Sequence, residues 1–247
     1  MELLKALYNI NSKSGSEERM KAFVRQQLAD LQLVIEEDEI GNLFITKGEA
    51  QNYPCVTAHL DEVHEKSPYR IVEEASGIFG EDENGKMMGI GADDKNGLWI
   101  IIKLLHEVPI LKVSLFVEEE KNGEIPGCRG SKACSLHHFD VALYVLAVDR
   151  RGRSDVVVNG LGGVKLCDAD FPPAHLLEEY GYECVDGGKT DVVELKMRGL
   201  EVPCCNISCG YYNAHTAEEY TNVLHLQNAH AFVREWVEYT LVTENLI

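Results

Sequence analysis

The chain has no basic excess. Lys and Arg together number 23 against 41 Asp and Glu, for a formal net charge of -18. A phosphate backbone needs a positive patch to neutralise it, so nucleic-acid partners are disfavoured. Long apolar runs are also missing. The longest, Val141–Val148, falls far short of the roughly 20 residues a membrane-spanning helix needs. No CxxC pair occurs among the 8 cysteines, and the opening MELLKALYNI has no basic stretch leading into an apolar one. The expectation is therefore a cytoplasmic protein, without a membrane partner, whose thiols are free and mostly buried. No internal repeat, low-complexity tract or long linker is visible. A single domain over residues 1–247 is expected, large enough to bury a sizeable core.

What is present reads as alternating strands and helices. Ser14 and Glu17 suggest a capping box before a helix with Met20, Phe23, Val24, Leu28 and Leu31 on one face. Leu33–Glu37 and Leu43–Lys47 read as a hairpin, and Tyr53–Ala58 as a strand ending at His59. Tyr69–Glu74 and Gly77–Gly80 look β-like, with a turn at Glu83-Asn84-Gly85. Asp94–Glu107 reads as a helix and Lys112–Val117 as a β-branched strand. A short helix over Gly127–Leu136, a fully apolar strand Val141–Val148 and a shorter one at Val156–Val158 follow. Helices are expected at Pro173–Tyr180 and Thr190–Met197, a strand at Val202–Ser208, and a terminal helix over Leu226–Val242. Apolar strands between helices predict an α/β fold: a mixed, largely parallel sheet flanked by helices.

On that frame the chemistry-bearing residues fall in one place. His59 and Asp61 follow the first buried strand, Glu119 and Glu120 the second, Asp149 the third and His215 the last. In open α/β sheets, ligands bind beyond the carboxyl ends of the strands. The turn GIGADDKNG adds the adjacent acids Asp93 and Asp94, costly neighbours unless a cation, solvent or hydrogen bonds offset them. Two imidazoles with several carboxylates and no thiolate suit a catalytic divalent ion, zinc before cobalt or manganese. A two-metal site needs one carboxylate shared between ions roughly 3.5–4 Å apart. Asp93, in its glycine-tight turn, is the natural bridge. One ion is assigned to His59, Asp93 and Asp149, and the other to Asp93, Glu120 and His215. Asp61 is expected to hydrogen-bond the His59 nitrogen left free of metal.

The segments TAHLDEVH, GIGADDKNG, FVEEEKNGEIPGCRGS, AVDRRG and GYYNAHTAEEY occur in that order. Together they resemble the co-catalytic dizinc exopeptidases of the peptidase T, carboxypeptidase G and glutamyl aminopeptidase clan, over about residues 10–240. The resemblance implies that Asp93 bridges the ions, that Glu119 is the catalytic base and that Glu120 is a ligand. Three glutamates run together here, so a slip to Glu118 and Glu119 stays open. The resemblance also implies hydrolysis by a metal-bridging water that Glu119 deprotonates. The substrate is expected to be a short peptide or an acylated amino acid. Members of the clan carry a lid or dimerisation domain, for which the segments Glu62–Ala92 and Asp149–His215 leave little room. A catalytic core without a lid is expected.

Plainer readings compete with several of these assignments. Arg150 or Arg151 could pair with Asp149 in an ordinary salt bridge. Cys204, Cys205 and Cys209 could join His215 in a structural zinc site, although thiols on a buried strand usually serve as small apolar groups. His64, His106, His137, His138, His175, His225 and His230 have no comparable context and read as structural. Arg129, Arg151 and Arg153 could each clamp a substrate carboxylate. An aminopeptidase is preferred because GCRGS and GGKTD look closer to that branch. Carboxypeptidase, N-acyl amino acid amidohydrolase and a non-catalytic metal- or peptide-binding module are the alternatives. The oligomeric state is not readable.

Overall fold

The computed structural model describes residues 1–75, 77–123 and 126–247. Helices α1 (Glu2–Tyr8) and α2 (Glu18–Gln27) lead into β1 (Leu33–Glu37), β2 (Leu43–Lys47) and β3 (Tyr53–His59). Next come β4 (Arg70–Glu74), β5 (Gly77–Glu81), β6 (Met87–Met88), α3 (Ala92–Glu107), β7 (Leu111–Phe116) and α4 (Arg129–Ala133). The chain continues through β8 (Ala142–Arg150), β9 (Asp155–Gly160), β10 (Val164–Lys165), α5 (Ala174–Tyr180), β11 (Glu183–Asp186) and α6 (Asp191–Met197). It ends with β12 (Cys204–Ser208), β13 (Tyr211–Tyr212), β14 (Tyr220–Thr221) and α7 (Val223–Thr243).

The larger sheet runs β1-β2-β7-β3-β8-β12-β9-β10, with β11 also paired to β9. Its centre, β7-β3-β8-β12, is parallel, and antiparallel pairs flank it. Central strands buried on both faces need continuous apolar sequence, which is what these segments supply. Alternate residues feed two cores. Val56, Leu146 and Cys205 pack on the side of α3 and α7, while Cys55, Val145 and Cys204 pack on the side of α6. Burying each of the valine and leucine side chains contributes roughly 1.5–3 kcal/mol.

Register decides where the polar residues go. His59 stands opposite Phe116, and Thr57 opposite Ala147. Continuing that last pairing two residues brings His59 level with Asp149. The carboxyl ends of β3, β7, β8 and β12 thus form one rim.

Several elements differ from the sequence reading. The capping box does not form. Glu17 itself precedes α2, and its side chain accepts from the Gly15 amide at 2.7 Å, while Ser14 Oγ donates to the Glu120 carbonyl at 3.2 Å. Helix α1 was not expected. It is too short for periodicity to register, and it stands because Leu4, Leu7 and Tyr8 are fully buried in the core beside α3. The expected helix over Gly127–Leu136 is cut to α4, with a 3-10 turn at Leu136–Phe139. A second sheet, β13-β14-β5-β4 with β6 on β5, joins residues far apart in sequence: Tyr220 pairs with Phe79. Glu62–Ala92 supplies β4, β5 and β6 of this sheet, and β13 and β14 complete it. The loop between β13 and β14 carries His215, held at φ 65°.

Candidate metal centre

Each imidazole is placed by its strand. His59 closes β3 with its backbone N–H donating to Asp94 Oδ2 at 3.2 Å. Its Nδ1 lies 3.0 Å from the Asp61 carbonyl oxygen and 3.4 Å from Asp61 Oδ1. That turns Nε2 toward Asp93 Oδ1 at 3.1 Å and Asp149 Oδ1 at 3.6 Å. His215 enters from the second sheet, with Nε2 at 2.6 Å from Glu120 Oε1 and 3.3 Å from Asp93 Oδ2. The Asp93 carboxylate therefore faces one imidazole with each oxygen. Two groups assigned from sequence, His59–Asp93–Asp149 and Asp93–Glu120–His215, each bring their ligand atoms within 4.8 Å of one another. His59 also gathers with Glu119 and Glu120 on the same criterion.

The adjacent aspartates separate. Asp93 faces a cavity of about 830 Å³ that Glu119, Glu120, Asp149 and His215 also line. Asp94 is buried, and its Oδ1 accepts from the Gly97 amide at 3.0 Å, satisfying an amide at the start of α3. The glutamate run divides as well: Glu118 turns away to pair with Arg129, while Glu119 and Glu120 line the cavity.

Asp61 does more than meet His59. Its two carboxylate oxygens accept the Glu119 and Glu120 amides, each at 2.9 Å, and so aim the glutamate turn. Asp149 is held by Thr190 Oγ1 at 3.0 Å and by the Tyr211 hydroxyl at 3.5 Å. Asn206 brackets its backbone, accepting from the Asp149 amide at 3.0 Å and donating to its carbonyl at 2.9 Å.

The electrostatics are those of a site short of positive charge. Burial pushes Asp149 up to about 6 and Asp191 up to about 7. Burial likewise raises Glu119 and Glu120. Burial would also raise Asp93, but hydrogen bonds from His215 and His59 outweigh it and hold the carboxyl below its usual range. His215 is pushed up to about 10 by its bonds to Asp93 and Glu120. Burial opposes a charged His59, and the bonds to Asp149, Asp61 and Asp93 raise it regardless.

Among the described residues no Lys or Arg forms an ion pair with Asp93, Glu119, Glu120 or Asp149. Four clustered carboxylates with two imidazoles and no fixed cation are a donor set that fits divalent metal. The competing readings fail on geometry. Arg150 pairs with Asp155 at 2.9 Å rather than with Asp149. No cysteine joins a candidate metal group among the described residues, and Cys205 instead faces Cys167 at 3.7 Å between sulfurs.

Sequence reasoning missed the residues that hold the Asp93 turn. Glu219 accepts the amides of Gly91 at 2.6 Å, Ile90 at 3.0 Å and Asp93 at 3.3 Å, and meets His64 Nε2 at 3.0 Å. Lys95 Nζ pairs with Glu62 Oε1 at 2.8 Å, both side chains 1% exposed. Gly91, at φ 64°, passes so close to Glu62 that an added Cβ would lie 2.2 Å from Oε2. Glu62, Lys95 and Glu219 lie inside the motifs that carry His59, Asp93 and His215. Proximity was the available signal, but it does not say which neighbour points inward. His64 does not stand alone either, since Glu219 engages it.

Of the nearby arginines, Arg129 and Arg150 have carboxylate partners, and Arg153 lines a separate hollow with Tyr180 and Tyr182. Arg151 lines the cavity with the acids, exposed and without an ion-pair partner among the described residues.

The fold that carries this rim, a largely parallel sheet flanked by helices, is shared by known structures. The aminopeptidase PepT from Bacillus cereus superposes with a TM-score of 0.80 at 16% identity, covering 96% of each chain. The TET1 peptidase of Pyrococcus horikoshii gives 0.66 at 17%, over 96% of this chain and 98% of that one. A Thermotoga maritima protein described as an endoglucanase gives 0.61 at 13%, over 99% of each. The sequence matches no protein-family model and no curated protein sequence. The chain shares the fold of the PepT and TET1 structures over nearly its whole length. No helix among the described residues is long and apolar enough to cross a membrane.

Proposed function

We propose that this chain is a two-metal exopeptidase that removes the amino-terminal residue of short peptides. The observation that carries this reading is Asp93, whose Oδ1 and Oδ2 address His59 at 3.1 Å and His215 at 3.3 Å. His59, Asp93 and Asp149 would hold one divalent ion, and Asp93, Glu120 and His215 the other. Zinc is favoured by the mixture of imidazole and carboxylate without thiolate. Bound divalent ions would lower the pKa of water from about 15.7 toward 7 and polarise an amide carbonyl.

The chain's own residues supply the rest. Glu119, raised by burial, is suited to take a proton from the attacking water and return it to the leaving amine. Asp61 holds the Glu119 and Glu120 amides in line with the rim. Thr190 and Tyr211 hold the Asp149 carboxylate. The acidic floor suits a free α-amine, and Arg151 suits an anionic group further along the substrate. The peptidase descriptions of the PepT and TET1 structures support the same reaction class. All eight cysteines are free and seven are buried, which supports a reducing, cytoplasmic setting.

The test is a hydrolysis screen of free, N-acylated and C-amidated di- and tripeptides with zinc, cobalt and manganese, together with Glu119→Gln. Release of amino-terminal residues is expected, with turnover reduced about 10²–10⁴-fold in the variant and metal content retained. Cleavage only from the carboxyl end, or only of N-acyl amino acids, would overturn the aminopeptidase reading. Two bound ions with no amide hydrolysis would favour the binding module. Wild-type turnover in Glu119→Gln would remove Glu119 as the base.

A further inference from the structure

Glu119 is fixed on its backbone from both sides. Its N–H donates to Asp61 Oδ1 at 2.9 Å, and its carbonyl accepts the Cys128 N–H at 2.7 Å. The return segment lies back along the glutamate turn. Arg129 N–H donates to the Glu118 carbonyl at 2.9 Å, and Gly130 N–H to the Val117 carbonyl at 3.0 Å. Only glycine fits at position 127, where an added Cβ would stand 2.1 Å from the Glu119 carbonyl oxygen. Asn42 locks the far side, accepting from the Val117 amide at 3.1 Å and donating to the Gly130 carbonyl at 3.1 Å.

The Glu119 side chain has one hydrogen-bonding partner among the described residues. Cys128 Sγ stands 3.1 Å from Glu119 Oε1, and Cys128 is 1% exposed, at φ 61°, on the threshold of α4. A thiol is a weak donor, but here it meets a carboxylate, and the thiol itself is shielded from water. We propose that Cys128 is a positioning residue for Glu119. Its S–H occupies Oε1 and sets the carboxylate's rotation, leaving Oε2 as the oxygen that exchanges a proton with water. This rests on the reading of Glu119 as the base. It assigns to this chain a determinant of turnover that holds no metal and touches no substrate.

The experiment separates the hydrogen bond from the catalysis. In the infrared difference spectrum of metal-loaded wild type against Cys128→Ala, the S–H stretching band of Cys128 should be shifted to low frequency. In Glu119→Ala that band should return to the position of an unbonded thiol. An unshifted band in the wild type would overturn the proposal whatever the protein hydrolyses. In steady-state kinetics Cys128→Ala should lower kcat roughly tenfold while KM and metal content hold. Cys128→Ser, which keeps a donor in nearly the same volume, should restore most of the loss. Equal loss in both variants, or a loss carried by KM, would mark Cys128 as packing alone and overturn the assignment. In a Glu119→Gln background, Cys128→Ala should have no further effect on kcat. A further tenfold loss there would overturn action through Glu119. A shifted S–H band together with wild-type turnover in Glu119→Gln would instead show that the base had been misassigned.

Discussion

Asp93 lies between His59 and His215, presenting Oδ1 to the first at 3.1 Å and Oδ2 to the second at 3.3 Å. The two imidazoles come from different sheets, one from the end of β3 and one from the loop between β13 and β14. A single side chain thus joins two halves of the candidate centre.

That sharing has a measurable consequence. Asp93→Ala should lose both ions, whereas His215→Ala should lose chiefly one. Metal per chain by elemental analysis after dialysis checks this. One tightly retained ion in Asp93→Ala would show that the carboxylate serves a single site.

Metal binding should release protons. His215, pushed up to about 10 by Asp93 and Glu120, is protonated at neutral pH in the metal-free chain and must lose that proton to ligate. Apparent affinity should therefore climb with pH, and fall further below about 6 as Asp149 protonates. Titration calorimetry at pH 7 in buffers of different ionisation heat should report net proton release. A flat affinity from pH 6 to 9 would contradict it. In the metal-free protein the sign reverses for stability. The His215 ion pairs contribute fully below the ordinary histidine value of about 6.5, and that contribution is lost as pH rises through about 10.

Arg151 offers a test of substrate chemistry. Arg151→Gln should raise KM about tenfold for peptides with a free carboxyl terminus and leave the corresponding amides within about twofold. Equal effects on acid and amide would remove Arg151 from substrate recognition.

Lys95 and Glu62 should matter for folding rather than chemistry. Removing one partner strands a buried charge, so Lys95→Met should cost about 3–5 kcal/mol in urea unfolding. The double variant Lys95→Met with Glu62→Gln should recover part of that. A loss below about 1 kcal/mol in the single variant would show that the site relaxes or hydrates readily.

Much of this architecture is readable along the chain. The buried strands announce themselves because β3 and β8 carry apolar side chains to both faces, and the terminal helix because Ala229, Phe232, Val233, Trp236 and Val237 recur on one side. Position just past a strand end is a local property, so His59, Asp61, Glu119, Glu120, Asp149 and His215 could be singled out before any coordinates, as could Asp93 from its glycine-rich turn. The second sheet could not. Its strands β13 and β14 are two residues long and exist only because Phe79 and Ile78 lie alongside.

Local patterning established which residues could reach the rim, since burial and strand polarity are written in the order of side chains. Direction was settled by packing. Asp93 turns to the cavity while Asp94 is drawn to the Gly97 amide, and Glu118 swings out to Arg129 while its two successors stay in. Adjacent identical side chains have the same composition and nearly the same surroundings in sequence. The partners that make one position differ from the next, Gly97 for Asp94, Arg129 for Glu118 and Cys128 for Glu119, come into place only when the chain is folded.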